Sequence, residues 1–374
     1  MKNNTILHIT TTYLPDHGGT INRIRNLISP IIKIFGYEFH ILIPTLEDKS
    51  SGEKLPERET ISDITIHRVN GYGKIRNALR RLYKIYNFGI IHSHNPRLTL
   101  PVMLSGIRVP VIAEIHSLHE LSFLKFIAAR WGYRRAKHII VLSQRTKEKV
   151  AEIYGIKKSK ISVICNGIGA SLLTLPVSDE LIRKKYGLKD NFVAGYTGSF
   201  YNWQGVEILM DAIPFVLEHE PDTQFLLAGD GPLWGMCRHK IEAAGLSEKV
   251  ILTGWVPHEE IPNYLDAMDV VLMPRPSTLA TETTIPLKLL EAMARARPIL
   301  ATRVGGFTEI LEDKKNACLI EPGCSESLAD GIIELKRNAD LRRQIAAEGK
   351  KLIEAWHTWE QSARALVEIY DQFL

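Results

Sequence analysis

The 374-residue sequence predicts an α/β protein built from two doubly wound parallel-sheet domains. Three observations carry that expectation. β-rich runs alternate with helical segments, the alternation happens twice with a loop between, and the two halves carry opposite net charge. The length itself exceeds the size at which a single core usually stops growing. An apolar content of 45% with 24% charged residues excludes disordered, collagen-like and low-complexity chains.

In the first half, strands are expected at TILHIT (5–10), FHILIP (39–44), ITIHRV (64–69), GIIHSH (89–94), VPVIAEIH (109–116), HIIVLS (138–143) and ISVICN (161–166). Helical segments at 20–35, 75–86, 120–136 and 144–154 lie between them. Apolar, β-branched runs of this kind suit strands buried on both faces of a parallel sheet. The pattern breaks into a loop from Gly167 to Pro176, and a short helix is expected over 177–187. A second series follows, with strands at 191–198, 223–230, 249–254, 269–274, 297–303 and 317–321. Its helices lie near 204–219, 232–244, 258–267, 286–295 and 325–337, and residues 340–374 add one or two more. Domains are therefore expected at 1–170 and 171–350, with 351–374 crossing back to the first. Two such domains facing each other leave a cleft at the carboxyl ends of their strands, where ligands of these sheets bind.

The charge is divided. Residues 1–170 hold 26 Lys and Arg against 12 Asp and Glu, whereas residues 171–374 hold 21 against 30. A basic first half calls for an anionic partner: nucleic acid, a phosphorylated substrate or an anionic membrane surface. Two segments concentrate the positive charge among apolar and aromatic residues, KIRNALRRLYKIYNFG (74–89) and FLKFIAARWGYRRAKH (123–138). Such helices can lie on anionic lipid, and a solvated basic face over a packed core fits them as well. No helix-turn-helix, RRM or OB pattern points to nucleic acid. No run reaches 18 uncharged apolar residues, so a spanning helix is not expected. The start MKNNTILHITTTYLP lacks the apolar core and cleavage site of a signal peptide, which predicts a cytoplasmic protein, peripheral on the inner membrane face if those helices engage it. Cys165, Cys237, Cys318 and Cys324 form no CxxC pair and no zinc spacing with histidine, so reduced thiols are expected.

TTIPLKLLEAMA (283–294) carries the most chemistry. Pro286 suits the first turn of a helix, where its missing N–H costs nothing. The free amides of Leu287 and Lys288 would then point out of the helix start, a site suited to a diphosphate. Glu291 shares their face one turn on, where a carboxylate can accept both hydroxyls of a ribose. An ordinary helix start with a solvated glutamate fits the same spacing.

Residues 269–312 resemble the donor-binding region of the retaining glycosyltransferases of family 4, the glycosyl transferases group 1, which have the GT-B fold of two Rossmann-like domains. The resemblance spans almost the whole chain. It includes ILHITTTYLPDHGGT (6–20), ICNGI (164–168), GYTGSFYNWQGVEILMDAI (195–213), LLAGDGPLW (226–234), VILTGWVPHEEIPNYLDAMDVVLMP (250–274) and HTWEQSARALVEIY (357–370). It implies a first domain that binds the acceptor and a second that binds a nucleoside diphosphate sugar. Gly18 and Gly19 are implied to approach a phosphate, and Glu291 to bind the donor ribose. His116 is implied to sit beside the transferred sugar, with His94 and Asn95 facing the acceptor. His92, His94 and His119 lie close in sequence, but the family needs no metal and no cofactor beyond its donor.

Two departures stand out. The family's first motif glutamate falls on Thr283, and Glu282, one residue earlier, is the available replacement or an exposed loop residue. The usual phosphate-binding Arg and Lys fall on Ser199, just after Gly198, and on Gln204, just before the next glycine, which leaves Arg275 and Lys288 as the cations able to compensate. Val256 or its neighbours are implied to flank the base. Transferases associated with exosortase systems have similar wording here. The implied reaction retains configuration by same-face attack, with the departing phosphate taking the acceptor's proton and a glycan or lipid-linked precursor as acceptor. Two alternatives remain: a nucleotide-sugar epimerase on the same fold, and an inactive partner subunit. A dehydrogenase is disfavoured, because no G-x-G-x-x-G follows the first strand.

Overall fold

A computed structural model describes residues 3–16, 18–48 and 52–374. The chain separates into two units, one running up to Gly167 and including Trp359–Leu374, the other spanning Ile168–Thr358.

The first unit is built from β1 (Thr5–Ile9), α1 (Gly19–Phe35), β2 (Glu38–Ile43), β3 (Arg58–Ile61), β4 (Ile64–Arg68), α2 (Ile75–Tyr86), β5 (Ile90–Ser93), α3 (Pro96–Met103), β6 (Val111–Ile115), α4 (Phe123–Arg135), β7 (His138–Val141), α5 (Gln144–Tyr154) and β8 (Ile161–Val163). Its sheet runs β3-β4-β2-β1-β5-β6-β7-β8. All pairs are parallel except β3 with β4. The central strands β1, β5, β6 and β7 are buried along nearly their whole length, as the apolar runs require.

The second unit follows with α6 (Ala170–Thr174), α7 (Glu180–Lys185), β9 (Val193–Thr197), α8 (Val206–His219), β10 (Gln224–Ala228), α9 (Trp234–Ala243), β11 (Val250–Gly254), α10 (Ile261–Asp266), β12 (Val270–Met273), α11 (Leu279–Thr283), α12 (Leu287–Ala294), β13 (Ile299–Thr302), α13 (Gly305–Thr308), β14 (Cys318–Ile320), α14 (Ser325–Arg337) and α15 (Ala339–Trp356). Its sheet is wholly parallel in the order β11-β10-β9-β12-β13-β14. That is the doubly wound order of a dinucleotide-type domain. A last helix, α16 (Trp359–Asp371), returns to the first unit and packs on α1.

The expected elements form, with strands shortened at their carboxyl ends where the chain leaves the sheet. Among the described residues, the edge strand β3 and the helices α3, α11 and α13 were not foreseen. β3 reads as polar and half exposed, and α3 contains two prolines, one at its first turn. The helix expected over 177–187 forms as the shorter α7, and α6 forms within the Gly167 to Pro176 stretch expected as a loop. The segment leading into the second unit is held there by Arg295, paired with Asp266 at 2.5 and 2.9 Å and donating to the carbonyls of Leu172, Leu175 and Pro176. Ile168 packs into the second unit's core and its amide donates to the His357 carbonyl at 2.9 Å, so the division falls at residue 168 rather than 171. The return to the first unit starts at Trp359, not at 351, because α15 continues unbroken to Trp356 against α12. The four cysteines are free thiols, two of them buried. Among the described residues, no helix is long and apolar enough to cross a membrane.

Candidate functional site

In the second unit the strand order reverses between β9 and β12. Loops leaving the two strands diverge at such a point and leave their amides and side chains free for a ligand. The loop after β9 runs from Gly198 to Gly205, and Arg275 follows β12. Gly205 has φ 79°, and a Cβ there would fall 1.7 Å from the Pro274 carbonyl oxygen, so only glycine lets these loops meet. Gly198 has φ 135°, and a Cβ there would lie 3.3 Å from Lys288 Nζ.

Two cations converge on this loop. Arg275 is 6% exposed, its guanidinium 5.8 Å from the Phe307 ring centre and its Nη1 3.4 Å from the Thr284 carbonyl. Its Nε has no partner among the described residues. Lys288 Nζ is buried 4.4 Å from the centre of the Tyr196 ring and has no hydrogen-bond acceptor among them either. Burial holds the Lys288 amine well below its ordinary range, and Arg275 pushes it further against the pull of Glu291. Burial also lowers Arg275, to about 10. Buried cations are normally paired, so two with spare donors form a cradle awaiting an anion.

The start of α12 adds to it. Pro286 stands just before the helix in an extended conformation (ψ 146°), not in its first turn, and its carbonyl accepts from Leu289 at 3.2 Å. Leu287 and Lys288 thus become the first two helical residues, and their amides find no acceptor among the described residues. One turn on, Glu291 Oε1 lies 2.9 Å from Nε2 of the exposed His258.

In the first unit the order reverses between β1 and β5. A cavity of about 470 Å³ opens there, lined by Thr10, Thr12, Thr20, Asn95, Arg97, His116 and Lys125 among others. Behind it lies a buried polar cluster. Arg23 donates to Glu114 at 2.5 Å and to Asn166 and the carbonyls of Ile164 and Cys165. His92 Nε2 lies 3.1 Å from Glu114 Oε2. His92 Nδ1 lies 2.7 Å from the Tyr370 hydroxyl, which lies 3.0 Å from His8 Nε2. His8 Nδ1 meets His94 Nε2 at 2.8 Å, and His94 Nδ1 meets His116 Nε2 at 3.0 Å. Burial pushes His116 down to about 4 and outweighs the pull of Glu114. It holds His8 and His94 well below their ordinary range too. Burial alone would raise Glu114, but Arg23 and the surrounding histidines hold it well below the usual carboxylate range. The atoms of His94, Glu114 and His116 are close enough together for a metal ion. Those of His8, His92 and His94 are equally close, the rings also pair with one another, and a buried arginine shares the carboxylate.

The family model for glycosyl transferases group 1 matches residues 191–338, and that for glycosyltransferase family 4 matches residues 17–171. The chain belongs to the glycosyl transferases group 1. An uncharacterised glycosyltransferase from Methanocaldococcus jannaschii is 26% identical over 377 residues, covering 96% of each chain. An alpha-D-kanosaminyltransferase from Streptomyces kanamyceticus is 26% identical over 287 residues, covering 72% of each. The crystal structure of Anabaena HepE in complex with UDP superposes with a TM-score of 0.81 at 19% identity, covering 98% of this chain and 100% of that one. That likeness shows a shared GT-B fold.

In this glycosyltransferase the structure brings Gly198, Arg275, Leu287 and Lys288 together, with Glu291 one turn beyond. Gln204 belongs to the same loop, and its Oε1 is buried without a partner among the described residues. Ser199 contributes its carbonyl to the Tyr196 hydroxyl at 2.8 Å. Val256 packs into the core and offers little surface, while its neighbour Trp255 is 64% exposed. Both oxygens of Glu282 have partners inside the unit, the Ser277 hydroxyl and the Gly305 amide, each at 2.7 Å. The carboxylate thereby caps α13, which an exposed loop glutamate would not do. Gly18 precedes α1 and Gly19 opens it, and a Cβ on either would meet open space. Asn95 lines the cavity, but its side chain caps α3 by accepting from the Arg97 amide at 2.9 Å. His119 bonds to Ser117 at 2.8 Å and stays outside the histidine cluster, while His8 joins it. Sequence reasoning missed Arg23, Glu114 and Tyr370 as a group. The available signal was a glutamate inside the apolar run VIAEI, since a buried strand carboxylate demands a partner.

Proposed function

We propose that this glycosyltransferase moves a sugar from a nucleoside diphosphate sugar to a hydroxyl acceptor, with retention of configuration. The observation that carries the reading is the buried pair Arg275 and Lys288, whose Nε and Nζ have no partner among the described residues, beside the free amides of α12. A diphosphate would match both charges and both amides. As the sugar departs, charge grows on the phosphate oxygen against cations and dipoles already in place, which stabilises the transition state. The donor's charge is met by side chains and backbone, so the reading assigns no metal and no cofactor. These cations supply what Ser199 and Gln204 lack, which weakens the case for an inactive partner subunit.

In this reading Glu291 accepts the ribose hydroxyls once the exposed His258 swings away, and Trp255 or Val256 flanks the base. His116 is assigned to the transferred sugar. Glu282 is assigned to the reaction centre through the α13 segment that it holds. The departing phosphate takes the acceptor's proton. HepE was solved with UDP, which makes UDP the first probe. The test is a calorimetric screen of UDP, GDP, ADP and dTDP without added metal, expected to yield one clear binder. Glu291→Ala should weaken that binder by about 1–3 kcal/mol, the cost of an unpaired polar contact. Unchanged affinity would remove Glu291 from the ribose site.

We further propose a lipid-linked or glycan acceptor reached at an anionic membrane surface. The support is narrower than the two basic segments suggested. The apolar face of α2 (Ile75, Ala78, Leu79 and Leu82) is spent on the core, which leaves mainly its arginines and lysines outward. At the start of α4, however, Phe123 and Leu124 are 75% and 78% exposed, with Ile127 and Lys125 beside them. Leu121 and Lys125 also line the cavity, so this apolar edge adjoins the place where an acceptor would enter. Exposed apolar groups flanked by cations favour the lipid interface. Phe123→Ser with Leu124→Ser and Ile127→Ser should reduce sedimentation with phosphatidylglycerol-rich vesicles several-fold. Equal sedimentation would refute the membrane contact.

A further inference from the structure

The cluster behind the first unit's cavity has a direction that follows from counting protons. Glu114, Arg23, His92, His8 and Tyr370 are all essentially inaccessible to solvent. Arg23 already balances the single charge of Glu114, so a second cation at His92 would leave a net buried charge. An uncharged imidazole at His92 keeps the cluster balanced. Its Nε2 lies 3.1 Å from a carboxylate oxygen, off the line of an ideal hydrogen bond, and an N–H faces that oxygen more favourably than a second lone pair, which puts the proton on Nε2. His92 Nδ1 is then an acceptor, and the Tyr370 hydroxyl donates to it. Having spent its only proton, Tyr370 accepts from His8 Nε2. His8 Nδ1 accepts from His94 Nε2, and His94 Nδ1 accepts from His116 Nε2. Each assignment forces the next.

We propose that Glu114 sets the tautomer of His116 through His92, Tyr370, His8 and His94, so that Nε2 carries the proton and the Nδ1 lone pair is offered to a ligand hydroxyl in the cavity. His116 lines that cavity, and its Nδ1 has no partner among the described residues. Burial keeps the rings neutral, as the lowered values of His8, His94 and His116 require. Tyr370 and His92 are thus positioning residues, and α16 contributes a functional hydroxyl as well as packing. Only the identity of the hydroxyl rests on the transferase reading.

The test is a two-bond proton–nitrogen correlation spectrum of the full chain labelled with 15N-histidine at neutral pH, with His116 assigned from a His116→Gln spectrum. A protonated Nε2 and an unprotonated Nδ1 on His116 are expected. Tyr370→Phe, which removes one oxygen and keeps the ring, should shift the Nδ1 resonance toward an even mixture of tautomers. His92→Phe should do the same. His92→Gln, which can still donate to Glu114 and accept from Tyr370, should preserve the wild-type pattern. A wild-type His116 protonated on Nδ1, or a pattern unchanged in folded Tyr370→Phe or His92→Phe, would overturn the proposal. If neither variant folds, the wild-type spectrum decides alone. No substrate is needed, so this result and the nucleotide screen can fail separately.

Discussion

Lys288→Met is expected to weaken nucleoside diphosphate binding by about 2–4 kcal/mol, roughly 30- to 1,000-fold, while making the folded protein more stable. The two effects share one cause. The Lys288 amine is buried over Tyr196 without an acceptor among the described residues, and Arg275 adds like charge beside it. Methionine keeps the apolar stem and removes the group that water can no longer solvate, a change that is often stabilising. A gain of about 1–3 kcal/mol in unfolding free energy is expected. A diphosphate would raise the depressed Lys288 value by supplying negative charge. Wild-type binding should therefore take up protons, visible as enthalpies that differ between buffers of different ionisation heat, and Lys288→Met should lose most of that difference. Unchanged affinity, or a clear loss of stability, would show that Lys288 serves the core and not the donor.

The second large effect is a loss of stability in mild acid. The folded values of His8, His94 and His116 lie below the ordinary value for histidine, His116 at about 4, and His67 is likewise held at about 4. The unfolded chain therefore binds protons near pH 6.5 that the folded chain refuses. Stability is fully present above that pH and falls as the pH drops toward 4. His116 alone should remove about 2 kcal/mol by pH 5. Glu114 acts in the same sense at lower pH, since its depressed value stabilises only above the unfolded carboxylate range of about 4.3. The midpoint of thermal unfolding should fall by several degrees between pH 7 and 5. His116→Gln should flatten that slope. A midpoint independent of pH over this range would mean that the rings take up protons in the folded chain as readily as in the unfolded one.

Local pattern made most of the architecture legible. The β-branched runs from Ile6 to Ile164, and again from Val193 to Ile320, place the strands, because a strand buried on both faces has few other compositions. The elements that escaped are those whose composition denies their structure. β3 is a polar edge, and α3 carries Pro96 and Pro101, of which the first sits where a helix tolerates it.

Spacing along one helix also fixes which residues share a face, so Lys288 and Glu291 were readable as neighbours before any fold was known. What spacing cannot supply is partnership between distant segments. That Lys288 and Arg275 lack counter-ions is a statement about every side chain around them, and it turns two ordinary cations into an anion cradle. Likewise, Glu282 was a loop glutamate in the sequence and became the cap of α13 only when Gly305 was folded against it. Arg23, Glu114 and Tyr370 stand far apart in the chain, joined to His8, His92, His94 and His116 because β1, β5 and β6 lie side by side with α16 packed nearby. The sequence by itself determined the two doubly wound domains and the family to which they belong, since both rest on short-range periodicity and motif. Only the tertiary structure decided which charges are paired and which way the protons run, since burial and contact belong to the folded chain.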